Sequence, residues 1–265
     1  MTRLSASLRG QWWLTGAAFL LATVGMAALL AFAVDRTTAA RWLVAAAGPV
    51  GYALWALRRG LPANHPPEGV ASDGAGRHQR LGLANGVTLA RGWLYAGVAG
   101  FLLVPPIGKV QWLPALGYGL GAALDRLDGG LARTLGRPTE LGRRLDLAFD
   151  TLGFLVAPLV AVAWGRLPVW YLSLSAARYL FKFGCWWRRR RGRPVGDLPA
   201  SRLRRPLAGL QMAFLAVALV PVVFARLVAL VAPVVLAPSL AVFARDYLVV
   251  AGHAGEPNGN ESPAR

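Results

Sequence analysis

The chain has 265 residues, of which 55% are hydrophobic and only 15% charged, whereas a soluble domain carries about 25% charged residues. With a mean hydropathy of +0.45, this composition excludes an ordinary soluble domain and reads as an all-α polytopic membrane protein. The formal net charge of +17 is scattered among apolar stretches with no soluble domain to organise it, so anionic lipid headgroups, not nucleic acid, are the expected partner.

No cleavable signal is apparent. Thr2 to Gly10 carries Arg3 and Arg9, but the apolar run that follows is long enough to span and has no clear small-residue cleavage site, so the first helix is expected to stay. Apolar stretches of spanning length occur near 12–34, 39–57, 85–104, 111–130, 146–165, 167–185, 207–225 and 227–250, which predicts eight helices. Pro62, Pro66, Pro67, several glycines, His65 and His78 interrupt the pattern as a solvated linker would. The chain therefore divides into an N-terminal transmembrane helix pair (1–57), a polar linker (58–83), a six-helix membrane domain (84–251) and a polar, disordered tail (252–265).

Arginine placement sets the expected orientation, because short cytoplasmic loops carry the positive excess. With eight helices both termini share one side, together with Arg58, Arg59, Arg77, Arg80, Arg126, Arg133, Arg137, Arg143, Arg144, Arg188 to Arg191, Arg193, Arg202, Arg204 and Arg205. Only Arg36, Arg41, Lys109, Arg166 and Arg226 face them. This predicts a multi-pass protein of the cell membrane with both termini cytoplasmic. Trp12, Trp13, Trp55, Trp112, Trp170, Trp186 and Trp187 lie near helix ends, where an interfacial belt is expected.

Four of the eight aspartates, Asp125, Asp128, Asp146 and Asp150, fall within 26 residues of this apolar chain. A carboxylate near hydrocarbon costs roughly 2.5 to 3.5 kcal/mol even on the lenient insertion scale, so such a cluster points to a cation or a reacting polar substrate. On helices, Asp125 and Asp128 are three apart and Asp146 and Asp150 four apart, so each pair lines one face. The single cysteine, Cys185, excludes an internal disulfide, and no Cys/His group has zinc spacing, so any metal must be held by oxygen. Oxygen ligation favours Mg²⁺, Mn²⁺ or Ca²⁺, and several carboxylates can hold two ions that bridge substrate phosphates. Gly129 and Gly142 allow close backbone approach, and Arg133 adds a planar donor suited to phosphate or carboxylate. The plainer reading is that the aspartates pair with neighbouring arginines at a helix end.

The segment reads D, two residues, DG, two residues, AR, eight residues, G, three residues, D, three residues, D, which resembles without exception the signature of the CDP-alcohol phosphotransferases (CDP-alcohol phosphatidyltransferases). The resemblance covers about 84–250 and implies that family's six-helix membrane domain. It implies that Asp125, Asp128, Asp146 and Asp150 ligate two divalent ions, Mg²⁺ or Mn²⁺, that hold a CDP pyrophosphate. It makes Asp150 the catalytic base on the acceptor hydroxyl. Gly129 and Ala132 would give the cytidine nucleotide close access, Arg133 would support the phosphate network, and Gly142 would permit close helix approach.

Asn85, Thr88 and Arg91 resemble the first core helix of bacterial glycerophosphate-type members, although an N-cap is an equally good reading of Asn85. Ser201, Arg204 and Arg205 with the downstream Gln211 sit where related enzymes contact a phosphorylated acceptor, and Arg91 joins them as a candidate acceptor residue. Arg245 and Asp246, inside the last apolar run, are expected to face the bundle cavity.

The resulting expectation is a transferase of phospholipid biosynthesis. It moves a phosphatidyl group from a CDP-linked lipid, CDP-diacylglycerol first, to an alcohol such as glycerol 3-phosphate, and releases CMP. Homodimers are usual among proteins that look like this. An intramembrane prenyltransferase also binds Mg²⁺-diphosphate through aspartates, but its pattern has Asn where Leu124 stands and Asp where Ala132 stands. A membrane scaffold or transporter would use the aspartates as an ion pathway and show no nucleotide dependence.

Overall fold

The computed structural model describes residues 6–66, 80–135, 139–196, 198 and 201–252, and for 127–135 the backbone only. Eight α-helices are present among the described residues: α1 (Ala6–Ala33), α2 (Arg36–Gly60), α3 (Gly82–Ala99), α4 (Leu113–Leu135), α5 (Glu140–Ala163), α6 (Ser173–Arg190), α7 (Arg204–Ala218) and α8 (Ala225–Val250). No strand occurs among those residues. This is the all-α polytopic architecture that the apolar periodicity implies. Four of the helical segments, α1, α3 with its 3-10 extension to Leu103, α5 and α8, are long and apolar enough to cross a membrane. The other four are interrupted by charge or are short: α2 carries Arg36, Arg41, Arg58 and Arg59, and α7 has 15 residues.

The bundle is built around α3, which packs on α2, α4 and α5. It can be approached closely because its inward positions are small or are matched by small residues opposite. Trp42 of α2, fully buried, lies against Gly97 and Gly100, and its indole N–H donates to the Gly97 carbonyl at 2.9 Å. Trp93 on α3 donates to Thr23 of α1 at 3.1 Å. The outer helices present apolar side chains outward, for example Leu14, Leu21 and Phe32 on α1, as a lipid-facing surface requires. Of the tryptophans expected at an interface, Trp13, Trp55, Trp112, Trp170, Trp186 and Trp187 are exposed, and Arg58, Arg59, Arg190 and Arg191 stack on Trp12, Trp55, Trp186 and Trp187.

Helix ends meet in two groups, which defines the two ends of the bundle. At one, Gln11 accepts from the Leu81 N–H that opens α3 (2.7 Å), the His65 carbonyl accepts from the Glu140 N–H that opens α5 (2.9 Å), and Arg188 of α6 donates to Ala251 beyond α8 (2.7 Å). At the other, Arg166 donates to the carbonyls of Ala218 (3.1 Å), Val223 (2.7 Å) and Val220 in the α7–α8 turn. Between the N-terminal pair and α3, Leu61, Ala63 and Asn64 are buried, and Asn64 donates to the Arg80 carbonyl at 3.0 Å. Residues 67–79 of the expected linker and 253–265 of the expected tail lie outside the described residues.

Candidate functional site

Asn85, Thr88, Arg91 and Tyr95 follow one another along the buried face of α3. Asn85 is one turn inside α3, whose N-cap is Leu81, so the N-cap reading is corrected. Its amide donates to the Leu81 carbonyl at 2.6 Å and to the Thr139 hydroxyl at 3.3 Å. Thr139 in turn caps α5 by accepting from the Gly142 N–H at 3.0 Å. A Cβ at Gly142 would stand 2.8 Å from the Asn85 Oδ1, so only glycine lets α5 approach α3 here without displacing the amide.

Nearly two turns further along α3 and one turn further along α5 the charged groups meet. The Arg91 guanidinium, 1% exposed, pairs with Asp125 of α4, with Asp146 Oδ1 at 3.0 Å and with Asp150 Oδ1 at 3.4 Å on α5. Three carboxylates from two helices thus converge on one cationic point. Asp128 lies three residues beyond Asp125 on the same helix, but its side chain, like those of Ala132 and Arg133, is outside the described residues, and Gly129 is described by its backbone only. Among the described residues no group of three or more His, Cys, Asp or Glu side chains closes on a metal-ligating point. The donor set nevertheless fits a hard divalent ion: carboxylate oxygen only, from side chains already aimed at one positive charge.

Below Arg91, one turn along α3, Tyr95 fixes the spacing of the two aspartate-bearing helices. Its ring is wedged between Gly121 of α4 and Gly153 of α5, where added Cβ atoms would stand 2.5 Å and 2.8 Å from ring carbons. Gly121 precedes Asp125 by four residues and Gly153 follows Asp150 by three, so each glycine shares a helix face with an aspartate. Phe149 fills the notch at Gly92 in the same way. The aromatic rings and glycines set how far apart the carboxylates stand.

Asp150 also walls an open cavity of about 500 Å³ lined by α5, α6, α7 and α8. Arg178 and Lys182, four apart on α6, and Arg204 of α7 supply its cationic groups, while Phe154, Leu174, Leu207 and Phe243 are among its apolar walls. Asp246, buried in α8, holds Arg204 at 2.7 Å and Arg245 at 2.8 Å; Asp246 and Arg204 line the cavity, whereas Arg245, expected to face it with Asp246, does not. Gln211 lines the cavity, but its amide donates to the Val235 carbonyl and the Ser239 hydroxyl, both at 2.9 Å, and accepts from Tyr171. Arg91, Ser201 and Arg205 do not line it. Arg91 belongs instead with the aspartates.

Arg178, Lys182 and Tyr95 were not singled out from the sequence. An Arg and a Lys four apart, on one face of a helix that flanks apolar spans, carry the signal that ionisable residues near hydrocarbon carry generally. Tyr95 carries its signal only jointly, as an aromatic four residues after Arg91 facing glycines on two other helices.

A family model described as CDP-alcohol phosphatidyltransferase matches residues 81–242, more than half of the chain. Comparisons with curated proteins and with solved structures found no match.

Proposed function

The chain belongs to the CDP-alcohol phosphatidyltransferase family, an enzyme class that transfers a phosphoalcohol group from a CDP-alcohol, and we propose that its donor is CDP-diacylglycerol and its acceptor a phosphorylated polyol such as glycerol 3-phosphate. The observation that supports this most is the position of Asp150, which faces both the aspartate cluster and the cavity that carries Arg178, Lys182 and Arg204. A candidate base and three cationic side chains therefore line one cavity.

In this reading Asp125, Asp128, Asp146 and Asp150 would hold the divalent metal that the family generally uses, Mg²⁺ or Mn²⁺. Bound there, the metal neutralises charge on the pyrophosphate of the donor. The acceptor phosphate lies against Arg178, Lys182 and Arg204, which turns its hydroxyl toward Asp150. Asp150 takes the hydroxyl proton as the oxygen attacks the phosphorus that bears the diacylglycerol. The bond from that phosphorus to the bridging oxygen breaks and CMP leaves with that oxygen. Gly129, Ala132 and Arg133 are assigned to the nucleotide, and Gly142 to close helix approach.

The arginine-rich ends of α2, α6 and α7 lie at the same end of the bundle as the aspartates, and the positive-inside rule then makes the site cytoplasmic. A donor with its tails in lipid and its nucleotide in water suits a site at that level. A homodimer is consistent with the family and leaves this chemistry unchanged.

The reading is tested by presenting the purified chain with CDP-diacylglycerol, Mg²⁺ and a panel of alcohols, and weighing the product lipids. Mass corresponding to a phosphatidyl-phosphopolyol supports it. Product only with unphosphorylated alcohols overturns the acceptor, and product only from another CDP-alcohol overturns the donor.

A further inference from the structure

The three aspartates and Arg91 differ sharply in exposure. The guanidinium is 1% exposed, whereas the side chains of Asp125, Asp146 and Asp150 are 35%, 47% and 35% exposed. The cation therefore sits behind the carboxylates, and they open to the outside in front of it. α3 contributes no carboxylate of its own, so this one side chain ties together anions from two other helices. Its Nε, also buried, has no hydrogen-bond partner among the described residues, so hydrogen bonding to its own helix does not account for its position.

We propose that Arg91 is the resident counter-cation of the aspartate cluster: it keeps the three carboxylates converged when no divalent ion is bound, and it lowers the cluster's affinity for that ion. The inference rests on the reading that these aspartates bind a divalent metal. Three carboxylates at one point repel one another, and a nearby positive charge is what favours their ionised forms. A guanidinium is suited to the task because it stays charged at any working pH and its planar fork reaches several oxygens at once. The same charge opposes an incoming cation. Arg91 is thus a positioning residue for the metal, distinct from the acceptor contacts in the cavity.

The test is a Mn²⁺ titration of the purified full chain in detergent, read by the electron paramagnetic resonance signal of the free ion, for wild type, Arg91→Lys and Arg91→Gln. Arg91→Gln is expected to bind Mn²⁺ roughly tenfold more tightly, the factor that a unit positive charge about 6 Å from a divalent ion imposes even with the full screening of water. Arg91→Lys, which keeps the charge, is expected to stay near wild type. A second measurement needs no variant: in wild type stripped with EDTA, amide hydrogens of α4 and α5 around the aspartates are expected to stay as protected as with Mn²⁺. Equal or weaker Mn²⁺ binding by Arg91→Gln, or loss of that protection in EDTA, overturns the inference. Wild type that binds no Mn²⁺ at all overturns the metal reading beneath it.

Discussion

Replacing Gly121 with alanine tests whether Tyr95 sets the distance between the aspartate-bearing helices. The new Cβ would stand 2.5 Å from one ring carbon of Tyr95 and 3.1 Å from two others. Comfortable carbon contacts lie at about 3.5 to 4.0 Å, so an overlap of roughly 1 Å must be relieved. The ring has no room to retreat, because α5 closes on its other edge at Gly153, where a Cβ would already stand at 2.8 Å. α4 must therefore move, and Asp125, one turn along the same face, moves with it. The overpacking costs about 1 to 3 kcal/mol, while alanine regains about 1 kcal/mol of helix propensity over glycine, so the net loss of stability is small. A displacement of about 1 Å at reacting groups lowers rate on the order of 100-fold. The expected result is a chain that unfolds near the wild-type temperature but releases CMP on the order of 100-fold more slowly with CDP-diacylglycerol, glycerol 3-phosphate and Mn²⁺. Adding Tyr95→Leu, which vacates the space, should recover part of the rate. A Gly121→Ala protein that keeps more than half of the wild-type rate would refute the spacing argument.

Arg204→Gln removes a cavity cation; with a charge-assisted hydrogen bond contributing about 1.5 to 3 kcal/mol, KM for the phosphorylated acceptor is expected to rise by roughly 10- to 100-fold with KM for the lipid donor unmoved, as steady-state kinetics would show. Trp42→Ala empties a fully buried site and removes the bond to Gly97; a loss of about 3 kcal/mol is expected, at the low end for tryptophan because lipid is as apolar as the protein interior, and detergent-denaturation curves measure it. Asp35 caps α2 by accepting from the Thr38 N–H at 2.7 Å, which holds its carboxyl below the ordinary 3.8. Its capping contribution is therefore complete above that ordinary value and disappears as pH falls through the depressed one. Amide exchange at the start of α2 should accelerate only in that acid range and should do so at neutral pH in Asp35→Ala.

The helices were legible because each is a run of apolar residues bounded by charge, proline or glycine. Their exact ends were less so: α5 begins at Glu140, six residues before the apolar stretch, because Thr139 caps it and because Asp146 and Asp150 need helix beneath them. The aspartates were legible because carboxylates are rare in apolar sequence and their spacing repeats a signature. Their common partner was not. Arg91 is 34 residues from Asp125 and 55 from Asp146, and only the packing of α3 on α4 and α5 makes them neighbours. Gln211 lines the cavity, and its amide also meets Val235, Ser239 and Tyr171, partners 24 to 40 residues away that only the packing of the helices brings to it. Arg166 reads as a loop charge in the sequence, yet it clamps the α7–α8 turn through several carbonyls.

The most direct measurement compares CMP release from CDP-diacylglycerol by wild type and by Asp150→Asn, each with glycerol 3-phosphate, in Mn²⁺ and in EDTA. Wild type is expected to release CMP only with metal and acceptor together. Asp150→Asn, which keeps the shape of the side chain but loses both the base and a metal ligand, is expected to fall to background. Equal rates for the two proteins, or release by wild type that EDTA leaves unchanged, would contradict the assignment of the chemistry to the aspartate cluster.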